Sequence, residues 1–363
     1  MLVDKPLPAE RPTGIGVAAY NMALALSRRK VSVRLVCRGS SNRSSVVNQS
    51  LTIDRVKHFS RDNLFVGAGL LGSTDYDVVH VHSSSALPSL ALARALGRKV
   101  VMHCHADEPL HPIGATMTRN AGMSLSSRVI AVSNSTREDL LRTHRGLSGK
   151  VVVAHNGVNP SDFEAPHDCS AVLPKYGLNP ADRLILSIGT IQSRKEQLLV
   201  VECLPVILAN HPGATYVNIG PVGETTYRDQ ILRRAEALGV SRSVKLLQGV
   251  PQVDLACIIQ ASSVCVHTAK KEAFGLAVVE EMACGRPVVA FGIGGIPEII
   301  DNRVNGIITR PGDLGELSES IIRLLRDSSL AGALGAAAKE RVLREFTWDK
   351  TAESLERIYA GLR

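Results

Sequence analysis

Two carboxylates, Glu272 and Glu280, stand in Lys271-Glu272-Ala273-Phe274-Gly275-Leu276-Ala277-Val278-Val279-Glu280-Glu281-Met282-Ala283-Cys284-Gly285-Arg286-Pro287. The apolar run 263–268 before them reads as a buried strand. A helix is expected over 273–283, with Gly285 as its stop signal and Pro287 opening the next strand. At about 1.5 Å per residue, the two acids lie ~12 Å apart along such a helix, too far to act as one carboxylate pair. The spacing suits two grips on one long ligand whose anionic middle rests on the N–H groups of the helix start. The rival reading is a solvated acidic helix face.

Cations stand where such an anion would need them. Ser187-Ile188-Gly189-Thr190-Ile191-Gln192-Ser193-Arg194-Lys195-Glu196 follows a strand and opens a helix, so Arg194 and Lys195 are placed to hold a diphosphate from the side opposite the helix at 273. The rival is again plain solvated surface. Thr13-Gly14-Ile15-Gly16-Val17-Ala18-Ala19 fits G-x-G-x-x-A, a dinucleotide-binding turn. Pro6, Pro8 and Pro12 separate it from any strand, however, and Arg38 and Ser40 stand where an acidic ribose partner belongs. A longer, mobile glycine loop suits it better, with Gly16 letting the backbone approach a diphosphate or an incoming acceptor. His105 ends a strand over 99–105, and alternation puts His103 and His105 on one face and Cys104 on the other. A neutral imidazole there can hydrogen-bond a hydroxyl. A metal set of His103, His105 and Asp107 lacks further zinc-type ligands. His80 and His82, inside an apolar strand, read as satisfied core residues.

These residues need a scaffold to position them. The 363 residues are too many for one ordinary core and suggest two domains. No apolar run approaches the roughly 20 residues of a membrane span, and the N-terminus shows no cationic-then-apolar signal pattern. Seven cysteines without CxxC spacing are expected to be reduced and buried, in a cytoplasmic protein. Residues 1–165 carry 20 Lys/Arg against 12 Asp/Glu, while residues 166–363 carry 22 of each. The whole excess of positive charge is in the first half. It suits an anionic acceptor or peripheral contact with an anionic membrane at its inner face, and serves equally as a solubility device. With one tryptophan and few other aromatics, and no basic run interleaved with them, nucleic acid is not an expected partner.

Strand and helix patterns alternate, which implies parallel sheets with helices on both faces. Strands are expected at 31–37, 77–83, 99–105, 128–133 and 150–155, with 51–59 as an addition and helices at 16–29, 86–96, 112–125 and 135–144. A Gly-, Pro- and Asp-rich linker covers 156–180. A second series has strands at 183–188, 215–219, 244–248, 263–268, 287–291 and 306–309, and a helical tail from about 315. The first strand retains only Met1 to Asp4. In open sheets of this kind the ligand lies beyond the carboxyl ends of the strands.

Taken together, the chain resembles the retaining family-4 (group 1) glycosyltransferases of the GT-B fold. The likeness rests on Glu272-x7-Glu280, then Gly294-Gly295-Ile296-Pro297-Glu298 and Asn305-Gly306, with support from Val129-Ile130-Ala131-Val132-Ser133, Asn156-Gly157-Val158 and Gly16. It implies two Rossmann-like, doubly wound parallel-sheet domains facing a central cleft. Residues 1–160 would bind the acceptor, 161–345 the nucleotide sugar, and 346–363 would form a helix crossing back. Glu272 would contact donor-sugar hydroxyls and Glu280 the ribose. Phe274, Gly275 and Leu276 would offer N–H groups to the diphosphate, with Gly16 and Lys195 beside it and His105 near the sugar. Thr190 stands where the family often has an arginine, and Arg194 is expected to replace it. The chemistry implied is transfer of a sugar from a nucleoside-diphosphate donor, UDP- or GDP-linked, to a hydroxyl. It proceeds with retention, needs no metal or further cofactor, and fits a front-face route. Domain closure would hinge near 156–180. The alternatives are a sugar-nucleotide epimerase or hydrolase, a non-catalytic sugar-nucleotide-binding subunit, and more distantly an NADP oxidoreductase.

Overall fold

The computed structural model describes residues 1–3, 14–38, 40, 42–56, 76–82, 87–105, 113–163 and 169–362. Thr13, the three prolines before it and Asp107 lie outside these residues, as does all of 57–75. The chain divides into two compact units, residues 1–157 with 348–363, and residues 158–347.

The first unit is built on one sheet with the order β3-β4-β2-β1-β5-β6-β7-β8. Its strands are β1 (Leu2–Val3), β2 (Val33–Arg38), β3 (Arg43–Asn48), β4 (Leu51–Val56), β5 (Val78–Val81), β6 (Lys99–Cys104), β7 (Arg128–Ala131) and β8 (Val151–Val153). Several of them, such as Val100, Val101 and Met102 in β6, are runs of buried apolar residues, as parallel strands covered on both faces require. The sheet departs from an all-parallel one at its edge, where β3 pairs antiparallel with β4 through a bulge. β3 reads Arg-Ser-Ser-Val-Val-Asn and is mostly exposed, so its sequence lacks the apolar pattern that marks the other strands. The two-residue β1 sits between β2 and β5, pairing with both.

Helices α1 (Gly14–Arg28), α2 (Leu87–Ala95), α3 (Ile113–Leu125) and α4 (Asn134–Thr143) belong to this unit. Ser133 caps α4, its Oγ accepting from the Thr136 N–H at 3.0 Å. The chain's last helix (Trp348–Ala360) also packs in this unit, against α1, with Trp348 buried. Arg28 pairs with Asp349 at 2.9 Å and Arg29 with Glu356 at 2.7 Å across the two helices. These exposed pairs contribute little energy; buried Trp348, Ala352 and Leu355 do the holding.

The second unit carries the sheet β11-β10-β9-β12-β13-β14, every pair parallel. Its strands are β9 (Arg183–Ile188), β10 (Ala214–Ile219), β11 (Val244–Leu247), β12 (Val264–His267), β13 (Val288–Phe291) and β14 (Ile307–Thr309). Helices α5 (Gln197–Asn210), α6 (Thr225–Ala237), α7 (Gln252–Ala261), α8 (Leu276–Ala283), α9 (Leu314–Arg326) and α10 (Ser328–Glu345) surround it, with a short turn of helix at Ile296–Ile299. The strand order reverses between β9 and β12, and the loops leaving their carboxyl ends flank the point where open α/β sheets take ligands.

One expectation about the cysteines is corrected. Cys169 and Cys257 form a disulfide. Their Cα atoms stand 5.6 Å apart, within the usual range for such a bond. The other five cysteines are buried thiols. The 88-residue separation of the pair leaves no spacing cue, and the bond removes the cysteine argument for a reducing compartment. No helix among the described residues is long and apolar enough to cross a membrane.

Candidate active site

In the second unit the loops after β9 and β12 meet. Thr268 Oγ1 donates to the Lys195 carbonyl at 3.2 Å and lies 2.9 Å from that of Glu196, and the Lys270 N–H donates to the Arg194 carbonyl at 2.9 Å. These bonds set the cationic pair against Glu272. Lys195 Nζ donates to Glu272 Oε2 at 2.5 Å, with the two side chains 18% and 22% exposed. Contrary to the expectation from sequence, Arg194 and Lys195 do not open the helix. They form a 3-10 turn over Ser193–Lys195, and α5 starts only after Glu196, whose φ is 51°. Arg194 is exposed. Its Nη1 lies 3.4 Å from the Lys271 carbonyl. With the Gln192 amide turned to present its oxygen, that oxygen accepts from Arg194 Nε at 2.9 Å and Nη2 at 3.1 Å.

The helix expected from 273 begins at Leu276, so Glu272 lies in the loop before it. The reason is Gly275, at φ 114°, a conformation that side-chain-bearing residues rarely adopt. A Cβ there would meet Ile296 Cδ1 at 2.9 Å. The Gly294-Gly295 pair explains how this loop is held. A Cβ on Gly294 would lie 1.8 Å from the Glu272 carbonyl oxygen, and one on Gly295 would lie 2.7 Å from that of Ala273. In their place the Gly295 N–H donates to the Glu272 carbonyl at 3.0 Å. Phe274 is buried, edge-on to Phe346 with ring centroids 5.9 Å apart.

From here α8 runs to Ala283, and Gly285, at φ 70°, ends it. Its first intrahelical bond runs from the Val279 N–H to the Gly275 carbonyl at 3.1 Å, so the N–H groups of Leu276 to Val278 precede the ladder. Glu280 is half-buried about one turn in. Burial, then the neighbouring Glu281 and Asp162, push its carboxyl up to about 8, so it carries a proton at neutral pH.

Glu281 was not singled out by sequence. It is fully buried, and its Oε2 lies 2.6 Å from His267 Nε2 at the end of β12. Burial raises its carboxyl and His267 opposes that rise. A carboxylate adjoining Glu280 but on the inward side of an amphipathic helix was the available signal. Asn305 likewise has a folding role: its Oδ1 accepts from the Asp301 N–H at 2.7 Å.

In the first unit Gly16 is a buried residue of the opening turn of α1, which begins at Gly14, so it is not part of a mobile loop. His105 follows the end of β6 and lies on one face with His103, their ring centroids 4.3 Å apart. His80 and His82 complete a four-ring array on this face. His82 Nδ1 lies 2.8 Å from His105 Nε2, His103 Nδ1 lies 3.2 Å from His80 Nε2, and His80 Nδ1 lies 2.5 Å from the Tyr359 hydroxyl. Burial lowers all four imidazoles, His105 to about 4, so they are neutral at physiological pH. The expectation of satisfied core histidines is corrected for His82, whose buried Nε2 has no partner among the described residues; that of His103 has none among them either. The adjacency of β5 and β6 that creates the array could not be read from either strand alone.

Residues 171–341 match the family described as "Glycosyl transferases group 1", and residues 12–162 match "Glycosyltransferase Family 4". The chain belongs to the group 1, family 4 glycosyltransferases. It is 28% identical over 300 residues to D-inositol 3-phosphate glycosyltransferase of Mycobacterium marinum, covering 78% of this chain and 63% of that protein. It is 26% identical over 308 residues to an uncharacterized glycosyltransferase of Methanocaldococcus jannaschii, covering 80% of this chain and 77% of the relative. Among solved structures, sucrose-phosphate synthase from Thermosynechococcus elongatus aligns with a TM-score of 0.84 at 19% identity, over 99% of this chain and 98% of that one. Anabaena HepE in complex with UDP-glucose aligns with a TM-score of 0.80 at 20% identity, over 99% and 98%. The chain therefore has the GT-B fold, an α/β fold of two units each built on a largely parallel sheet.

Proposed function

We propose that the chain transfers a hexosyl group from a nucleoside-diphosphate sugar, UDP- or GDP-linked, to a hydroxyl acceptor with retained anomeric configuration. The observation that carries this is the Lys195–Glu272 pair, held at the start of α8 by the Gly294-Gly295 turn. A diphosphate entering there would meet the Lys195 ammonium, the Arg194 guanidinium and the first N–H groups of α8. Glu272, released from Lys195 as the anion takes the cation, would accept from sugar hydroxyls. Glu280 would accept from the ribose and shed its proton on binding. The C1–O bond to the diphosphate breaks as the acceptor oxygen bonds C1 on the same face, and the acceptor's proton passes to the departing phosphate oxygen. The fixed cations and the helix start supply the positive charge that a leaving diphosphate needs, so the reading assigns the donor no metal ion.

Support from relatives concerns the donor. Solved structures with this fold include HepE in complex with UDP and glucose and with UDP-glucose. The first unit, by this reading, binds the acceptor, with Gly16 near the phosphates and His105 accepting from or donating to a sugar hydroxyl. The positive first half suits an acceptor bearing an anionic group, free or at the inner face of an anionic membrane, for an enzyme working on the cytoplasmic side.

The test is a panel of UDP- and GDP-sugars scored by thermal shift, then assayed with candidate acceptors and the product anomer read by NMR. One donor should raise the melting temperature by linkage, turn over fast only with an acceptor, and give a product of unchanged configuration. Equal donor turnover without acceptors would favour an epimerase or hydrolase. Binding with no turnover across the panel would favour a non-catalytic subunit, and an inverted product would remove the retaining assignment.

A further inference from the structure

We propose that His80, His82 and His103 form a binding site for a divalent metal ion of the zinc class within the first unit. The group lies on one face of two neighbouring parallel strands, where period-two alternation brings His80 and His82 beside His103 and His105. One ring nitrogen from each of His80, His82 and His103 lies within 4.8 Å of the others, and all three residues are buried. His80 Nε2 and His103 Nδ1 are 3.2 Å apart. Two nitrogens bound to one tetrahedral zinc at about 2.0–2.1 Å stand roughly 3.3 Å apart, so this pair already has the separation of two ligands.

The outer nitrogens point the same way. Histidines that bind metals donate their second ring N–H to a neighbouring acceptor, which fixes the tautomer and leaves the inner lone pair for the ion. His80 Nδ1 faces the Tyr359 hydroxyl at 2.5 Å, and His82 Nδ1 faces His105 Nε2 at 2.8 Å. With the N–H at Nδ1 in both, each Nε2 keeps a lone pair for an ion. With His103 binding through Nδ1, the ion would occupy His82 Nε2, which is buried with no partner among the described residues, a costly arrangement for a purely hydrogen-bonded core.

The donor set selects the ion. Three neutral imidazoles suit zinc, copper or nickel, and are poor ligands for magnesium or calcium, which take oxygen. Three protein ligands leave a fourth position for water, which bound to zinc ionises near neutral pH and partly offsets the buried charge. The site stands independently of the donor chemistry proposed for the second unit, and departs from the expectation that the chain holds no metal.

The experiment uses the untagged full chain, stripped with a chelator and then dialysed against Zn²⁺ or Co²⁺ alone. Metal content is read by mass spectrometry, and cobalt by its visible d–d absorption. The expected result is one ion per chain, the visible spectrum of low-coordinate cobalt, and a higher melting temperature for the stripped protein when Zn²⁺ is restored. His103→Ala should lose the ion, and His103→Gln gives the same readout should the alanine variant fail to fold. Tyr359→Phe, which removes only the partner of His80 Nδ1, should weaken binding about 10–100-fold with the circular dichroism unchanged. A stripped wild-type chain that takes up no ion would overturn the proposal. So would an ion retained equally by the folded His103 variant.

Discussion

In the first unit four imidazoles stack against one another, held neutral by burial, with a tyrosine hydroxyl as the nearest partner outside the array. In the second, a lysine meets a carboxylate in a loop junction about one-fifth exposed, with an arginine at the surface beside it. Both lie near the carboxyl ends of parallel strands, yet one arrangement excludes charge and the other assembles it. The difference shows what each can do. Opposite charges kept partly solvated can be separated by an incoming anion at modest cost, whereas a buried neutral array offers lone pairs and hydrogen bonds without electrostatic steering.

That contrast can be broken most sharply at Lys195. If the second unit handles the leaving diphosphate, Lys195→Ala should lower kcat by about 10²–10³, the size of losing one preorganised charge-stabilising donor. A fall of less than threefold would remove Lys195 from the chemistry. Arg194 is more exposed and should matter less. Arg194→Ala should weaken donor binding or turnover about tenfold, as expected for one charge-assisted hydrogen bond of about 1.5 kcal/mol. An unchanged donor affinity and turnover would mean that nothing replaces the arginine absent at Thr190.

A smaller effect separates the units by pH. Glu280 holds its proton more tightly in the folded chain than its usual 4.5, so its contribution favours folding at low pH and is lost as pH rises from 4.5 towards about 8. The imidazoles of the first unit hold protons less tightly when folded, so their contribution is present above the usual 6.5 and is lost as pH falls below it. Amide exchange on chelator-treated protein should therefore show protection of β6 declining towards acid and protection of α8 declining towards alkali. Glu280→Gln should flatten only the second trend. Parallel trends in the two units would contradict the assigned protonation states.

Much of this architecture was legible because parallel strands buried on both faces are written as unbroken apolar runs, as at Val264–Val266 and Val288–Phe291. The edge strand β3 carries no such run and escaped notice. The types of the site residues were legible too, but their geometry was not. The late start of α8 depends on the positive φ of Gly275 and on a glycine turn some twenty residues further on, at Gly294 and Gly295. The Lys195–Glu272 contact and the Cys169–Cys257 bond each join residues far apart in sequence. Alternation puts His103 and His105 on one face of a strand, yet only the pairing of β5 with β6 makes an array of them with His80 and His82.

The most direct measurement is a crystal structure of the chain with an unhydrolysed donor. The pyrophosphate should lie on the first turn of α8 with Lys195 turned onto it from Glu272, the ribose at Glu280 and the hexose hydroxyls at Glu272. A donor bound elsewhere, or bound there with the Lys195–Glu272 pair intact and the phosphates facing solvent, would contradict the account.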